Sequence, residues 1–432
     1  MHHAGKLYRA LLAIVLSLLF FNALLDRLAS YYLAIKPFTL AFYVLLTGAI
    51  LYQLILTLRT GNTKVTQGAA LCWLMFIIFL GVLYGDMIAS VVAIKQFFLG
   101  IVLLFVFSAQ PLPIGVLIAD LVLVLGYALF QGLYFVTQNF QLPPWDAVYI
   151  RERLESGAAL NWYQGDLIRP FATFASFSEY QIVVHAFVTT LFLLRSRLAH
   201  GYRGIATGLL MLLAIQDVIL TDRTPILMSL IILLVSTVGP ALLRGLLTGT
   251  RQLIGGAAMA LVTVAGFWLA SDAMTSSQNP GVRRLGESAQ FWRAETVRER
   301  EAHQWTSASQ SIAWHPEGMG PKEVTIDYNS AAQRPHNNFF LLQIGYSYAL
   351  PFVFVAFIGL VFAPVFRAVF SPSGQEAQVG FCGFGLTLAY VAASAFNVPF
   401  TGYAGVAFFL VMHWLRSELL TSRGARRLVS VE

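Results

Sequence analysis

The sequence predicts an all-α integral membrane protein of about 12 transmembrane helices with a large, partly helical loop on the outer face. Three observations predict it. Of the 432 residues, 57% are hydrophobic and 11% charged, against about 45–50% and about 25% in an average soluble domain, and the mean hydropathy is +0.69. Apolar runs near the ~20 residues needed to cross hydrocarbon recur along most of the chain. Lys and Arg gather in alternate short connections, the pattern of chain retained on the inner side of a membrane.

In chain order the runs centre on residues 8–25, 37–58, 68–85, 88–108, 113–136, 174–194, 204–220, 225–243, 253–270, 337–363, 379–398 and 401–415. The first, preceded by Lys6 and Arg9, is read as a retained helix, because no small-x-small cleavage site follows it. With those bases inside, the inner connections carry Arg59 and Lys64, then Arg195, Arg197 and Arg203, then Arg244 and Arg251, then Arg367. The tail carries Arg416, Arg423, Arg426 and Arg427. The short outer connections hold only Asp86, or Asp222 with Arg223. Both termini are therefore expected on the inner, cytoplasmic side.

The chain divides into residues 1–270, with helices 1–9 and an outer loop at 137–173; the large outer loop 271–335; residues 336–415, with helices 10–12; and a basic tail at 416–432. Within the large loop, "SAQFWRAETVREREAHQW" mixes helix formers with acid–base pairs at helical spacing, which predicts helices on the membrane surface with Trp292 and Trp305 at headgroup height.

Several chemistries lack their signatures. There is no Walker-type phosphate loop, no G-x-G-x-x-G after a strand, no H-E-x-x-H and no paired C-x-x-C, and Cys72 and Cys382 both lie inside apolar runs. No metal or cofactor is expected, and the formal charge of +7 reads as a topology signal rather than as nucleic-acid binding.

The chemistry-bearing residues meet the same outer side. Arg169 precedes the sixth run in "DLIRPFATFASFSEY", Arg223 lies in "TDRTPILM", and Arg334, His336, Asn337 and Asn338 open the tenth run in "RPHNNFFLLQIGYSYALPF". An arginine fork suits a phosphate-bearing ligand, although an arginine at a helix end also anchors to ordinary lipid. An imidazole accepts a proton near neutral pH, and Asn337 or Asn338 suits a helix N-cap. Lys95, Glu179 and His185 are ionisable groups inside runs, costly there unless paired or facing a wet cavity. Lys95 and Glu179 read equally as a structural pair or as groups supporting the site.

The order "RPFATF", "TDRTPILM", "HPEGMG", "RPHNNFFLLQIG" resembles the Wzy-type polysaccharide (O-antigen) polymerase and O-antigen ligase superfamily over roughly residues 165–360. Ala172 stands where that pattern has a glycine, and Asp222 where it has a serine. The resemblance implies a metal-independent glycosyltransferase in a bacterial inner membrane, its site facing the periplasm. The donor would be a glycan on undecaprenyl pyrophosphate. The acceptor would be a second carrier-linked repeat unit in a polymerase, or lipid A core in a ligase, and the polymerase is preferred. It further implies pyrophosphate contacts from Arg169, Arg223 and Arg334, a catalytic His336, support from Asn337, Glu179 and Lys95, and a chain-length regulator protein as a further partner. A lipid-linked glycan transporter is the alternative of another class.

Overall fold

The computed structural model describes residues 2–60, 64–108, 110–155, 163–164, 167–168, 171–220, 223–248, 258, 262, 265–266, 269–278, 282–283, 286, 305–322, 337–394 and 399–429. Apart from a two-residue antiparallel ladder pairing Tyr163 with Ile168 and Gln164 with Leu167, the described chain is helical. The helices are α1 (His2–Leu33), α2 (Pro37–Thr60), α3 (Val65–Leu83), α4 (Met87–Phe97), α5 (Leu99–Phe107), α6 (Ile114–Thr137), α7 (Pro144–Glu155), α8 (Phe177–Leu193), α9 (His200–Leu220) and α10 (Arg223–Thr248). After them come α11 (Thr306–Trp314), α12 (Asn338–Gly345), α13 (Leu350–Val361), α14 (Ala363–Ala368), α15 (Gly374–Ser394) and α16 (Gly402–Val429).

Among the described residues, six helices are long and apolar enough to cross a membrane, namely α1, α2, α3, α6, α10 and α15, or up to eight if each of two bent pairs is one span. This is the build of a multi-pass membrane protein. Of the other expected runs, 174–194 corresponds to α8, with 17 residues and a path through the protein interior, where Val184 and Phe187 have no exposure. Run 204–220 lies within α9 and run 401–415 within α16. Run 253–270 and the expected surface helix with Trp292 lie largely outside the described residues.

Two runs expected as single helices are broken. The fourth bends by 71° between α4 and α5 at Phe98, which takes φ −115° and ψ 14°. No proline marks that break. Beyond it α5 dives into the core, every residue from Leu99 to Phe107 buried. It can do so because Gly100 meets Gly405 of α16: a Cβ on Gly100 would stand 2.8 Å from the Gly405 carbonyl oxygen. Small residues that let backbones touch are how helices pack without a hydrophobic drive between them.

The tenth run turns by 120° between α12 and α13. Pro351 sits in the first turn of α13, where its missing N–H is tolerated but continuous helix before it is not. The broken backbone is satisfied by another segment. Met319 N–H donates to the Ile344 carbonyl (2.7 Å), Tyr348 N–H donates to the Pro316 carbonyl (3.0 Å), and the Tyr84 hydroxyl lies between the Glu317 and Tyr346 carbonyls. Irregular backbone inside an apolar bundle persists where protein supplies such partners.

The bundle has two chemically different ends. At one, Arg9 donates to Gln110, Lys64 to the Ser108 carbonyl, Arg416 to Thr66, and Arg197 to the Gln375 carbonyl. Those are bases of the connections expected inside. The opposite end holds the starts of α8, α12 and α16.

Candidate functional site

Within the "RPFATF" segment, Phe171–Phe174 form a tight buried turn at this end. Ala172 has φ 46°, in the left-handed region that favours glycine. That is the position at which the resembled family pattern carries glycine. Both backbone groups of Ala172 are taken: its N–H donates to Gln131 Oε1 (2.9 Å), and its carbonyl accepts from Arg27 Nη2 (2.5 Å).

Arg27 belongs to a buried network absent from the sequence reading. Its Nη1 lies 3.2 Å from Asp146 Oδ1, with side-chain exposures of 2% and 0%, so neither charge is relieved by water. The contact is an ion pair but not an aligned hydrogen bond. Asp146 is satisfied instead through Oδ2, which accepts from Tyr127 (2.9 Å) and Gln131 (2.7 Å). The guanidinium lies 4.5 Å from the Phe171 ring centroid and 5.5 Å from that of Tyr149. Burial pushes the Asp146 carboxyl above its ordinary range, opposed first by Arg27 and then by its two hydrogen bonds. The pair "DR" at Asp26–Arg27, ionisable directly after the first apolar run, was the sequence signal for this network. Asp26 itself accepts from the Phe38 and Thr39 N–H groups at the start of α2.

Beyond the turn, Ser176 caps α8, its Oγ accepting from the Glu179 N–H (3.3 Å) and its hydroxyl lying 3.2 Å from Glu179 Oε2. Glu179 Oε1 also faces Gly402, which has φ 52°; a Cβ there would come within 2.6 Å of that oxygen. Glu179 is therefore a helix-cap residue pressed against the start of α16. Lys95 lies in the last turn of α4, at the 71° break rather than midway along a span, with Nζ 4.7 Å from the Tyr43 ring centroid. No ion pair among the described residues joins it to Glu179, so the expected structural Lys–Glu pair is not formed.

Asn337 caps α12, its Oδ1 accepting from Phe339 (2.9 Å) and Phe340 (3.2 Å) N–H groups, as a cap residue should. Asn338 is buried, and its Oδ1 accepts from the Phe400 N–H (3.0 Å). The turn at 399–403 thereby joins two elements. Phe400 meets Asn338 of α12, while Tyr403 packs edge-on to Phe174 (5.9 Å) and shares a hydrogen bond with Asn22 of α1. The "RPFATF" turn, the start of α8 and the start of α12 thus form one contiguous patch.

The "HPEGMG" turn closes the far end of α12. Gly318 (φ 89°) and Gly320 (φ 98°) are both left-handed. At Gly318 a Cβ would also collide with the Tyr346 backbone at 2.5 Å, whereas Gly320 has room, its nearest neighbour being Tyr84 at 3.6 Å. The exposed Glu317 carboxyl is held below its usual range by its own backbone N–H and then by His315 at 3.4 Å.

Arg223 is the first residue of α10, and nothing further of its side chain is described. Arg169, Arg334 and His336 lie outside the described residues, the first two residues before Phe171 and the last immediately before the Asn337 cap. What the structure brings together, through the turn at 399–403, is Phe174 and Asn338. A second polar cluster lies within the bundle: His185 Nδ1 is 2.8 Å from Ser229 Oγ, Nε2 is 3.0 Å from Asp217 Oδ1, and Thr189 is 2.8 Å from Ser229. It ties α8, α9 and α10 together six residues beyond Arg223. No group of three or more His, Cys, Asp or Glu fit to hold a metal occurs among the described residues.

No family model matches the chain, and no curated protein matches it either.

Proposed function

We propose that this protein is a Wzy-type membrane glycosyltransferase that polymerises undecaprenyl-pyrophosphate-linked oligosaccharide repeat units on the periplasmic face of a bacterial inner membrane, with about 12 spans and both termini cytoplasmic. The observation that carries the reading is the 399–403 turn. Through Phe174 and Asn338 it joins the segment following Arg169 to the helix that follows His336. Left-handed Ala172, at the position where the resembled pattern calls for glycine, supports it, as do left-handed Gly318 and Gly320 in the "HPEGMG" turn.

In this reading the anomeric C–O bond to the carrier pyrophosphate breaks as a bond to the acceptor hydroxyl oxygen forms. His336 takes the hydroxyl proton. The carrier pyrophosphate departs with the electron pair, and Arg169 and Arg223, with Arg334, stabilise the charge that grows on it. Asn337 fixes the helix start beside His336, Glu179 holds the start of α8 against α16, and Lys95 lends positive charge from the α4 break. The acceptor is a second carrier-linked glycan, and a chain-length regulator would act on the product.

The test is glycan chain length on carrier lipid in cells lacking the native protein and complemented at matched membrane abundance. Wild type is expected to restore long chains, with His336→Ala and Arg223→Ala leaving single repeat units. Long chains from either variant would overturn the site. A lipid A-linked product from purified protein given lipid A core would replace the polymerase with a ligase, and glycan crossing a vesicle membrane without growth would replace it with a transporter.

A further inference from the structure

At the opposite, basic end of the bundle lies a cleft of about 470 Å³ lined by Leu193, Arg195, Ser196, Arg203, Gly204, Thr207 and Gln378. It is remote from the site above and does not depend on that reading. The three arginines around it are used differently. Arg197 is committed to structure, donating to the Gln375 carbonyl (2.5 Å) and lying 3.9 Å from Glu418.

Arg195 and Arg203 have no acidic partner among the described residues. Arg195 donates once, from Nη1 to the Phe192 carbonyl (2.9 Å), and its guanidinium lies 4.1 Å from the Phe192 ring centroid. Arg203 donates from Nε to the Leu198 carbonyl (3.1 Å) and from Nη2 to the Ser196 carbonyl (3.2 Å). These bonds pin both forks to the same turn and leave most of their donors unspent. No carboxylate lines the cleft, while Ser196, Thr207 and Gln378 add hydroxyl and amide groups.

We propose that this cleft is a binding site for a phosphate mono- or diester. Two guanidinium forks held in place by backbone carbonyls offer paired donors to phosphate oxygens, and the ordering that binding would otherwise require is already done. Their position at the basic end suits a phosphodiester lipid headgroup, since anionic lipid attracts bases at a membrane surface. A soluble phosphate-bearing molecule has the same chemistry.

The experiment uses full-length protein in phosphatidylcholine nanodiscs, with phosphatidylglycerol or inorganic phosphate as probes and native mass spectrometry plus thermal shift as readouts. Retention of one of the two probes is expected, with about a hundredfold loss in Arg195→Gln/Arg203→Gln, the size of two lost charge-assisted contacts. Arg367→Gln, an exposed base at the same end, is expected to bind as wild type. Phosphatidylglycerol retained against competing phosphate identifies a lipid site; phosphate alone giving the shift identifies a soluble ligand. If the double variant misfolds, Ser196→Glu places a carboxylate in the cleft and is expected to abolish binding. Equal binding by wild type and these variants, an equal loss in Arg367→Gln, or no binding of either probe overturns the proposal.

Discussion

Replacing Arg27 by Met removes the cation from a pair whose two side chains are 2% and 0% exposed. Several losses coincide: the charge beside Asp146, the bond to the Ala172 carbonyl at 2.5 Å, and the guanidinium stacked 4.5 Å from Phe171. Breaking a buried pair from one side costs about 3–5 kcal/mol, because the surviving charge is left without its partner. The three losses share one side chain and do not add. Arg27→Met/Asp146→Leu removes both charges and adds to the Ala172 carbonyl already stranded by Arg27→Met only the Tyr127 and Gln131 donors, at about 1–3 kcal/mol for unsatisfied groups. The double variant is therefore expected to be more stable than Arg27→Met, even though it carries one more change. The assay is denaturant unfolding in mild detergent of wild type, both singles and the double. If the two single effects simply add, with a coupling under about 0.5 kcal/mol, the pair is not what holds the Ala172 turn and the reasoning fails.

Other outcomes follow from the same geometry. Because burial raises the Asp146 carboxyl, the folded chain binds that proton more tightly than the unfolded chain does, so this group's contribution to stability falls as pH rises from its ordinary 3.8 through the folded value. Arg27→Met should steepen that fall and Arg27→Met/Asp146→Leu should abolish it, read from unfolding midpoints against pH. Ala172→Gly should relieve a left-handed cost of about 1–2 kcal/mol, less about 0.4–1 kcal/mol of added chain entropy, for a small net gain in midpoint. Gly318→Ala should destabilise by more than Gly320→Ala, since both are strained but only Gly318 meets backbone, at 2.5 Å; equal losses would mean that the turn is not docked on Tyr346. Asn338→Ala leaves the Phe400 N–H unpaired in a buried site and should cost about 1–3 kcal/mol, while Asn338→Asp keeps an acceptor and should cost less.

The long apolar helices were legible because hydropathy and helix length are local properties of the chain, and α2, α6 and α15 fall close to the expected runs. The Asn337 cap was legible for the same reason. The bend at Phe98 was not, since no proline marks it and what gives the nearby Gly100 its meaning is Gly405, on a helix about 300 residues away. The bend before Pro351 had a local signal in the proline, but the "HPEGMG" turn that stabilises it is a tertiary partner. Arg27 and Asp146 lie 119 positions apart by their numbering, 146 − 27, and nothing in either neighbourhood names the other. Ala172 looked like a departure from a sequence pattern. The structure gives that departure a physical content, a backbone in the region where alanine is disfavoured.

The docking of "HPEGMG" on the end of α12 has a consequence for how this protein can change. Met319 is bonded to Ile344 at one end of that short helix, and Asn337 caps the other. Met319 and Asn337, on either side of residues 323–336, are therefore both fixed to the same eight-residue rod. Lengthening such a closed segment is cheap, about 0.6 kcal/mol for each doubling, and its anchors do not depend on what lies between them. Substitutions and insertions there leave in place the helix start that Asn337 caps, so that stretch of sequence is free to vary while both of its anchors stay fixed.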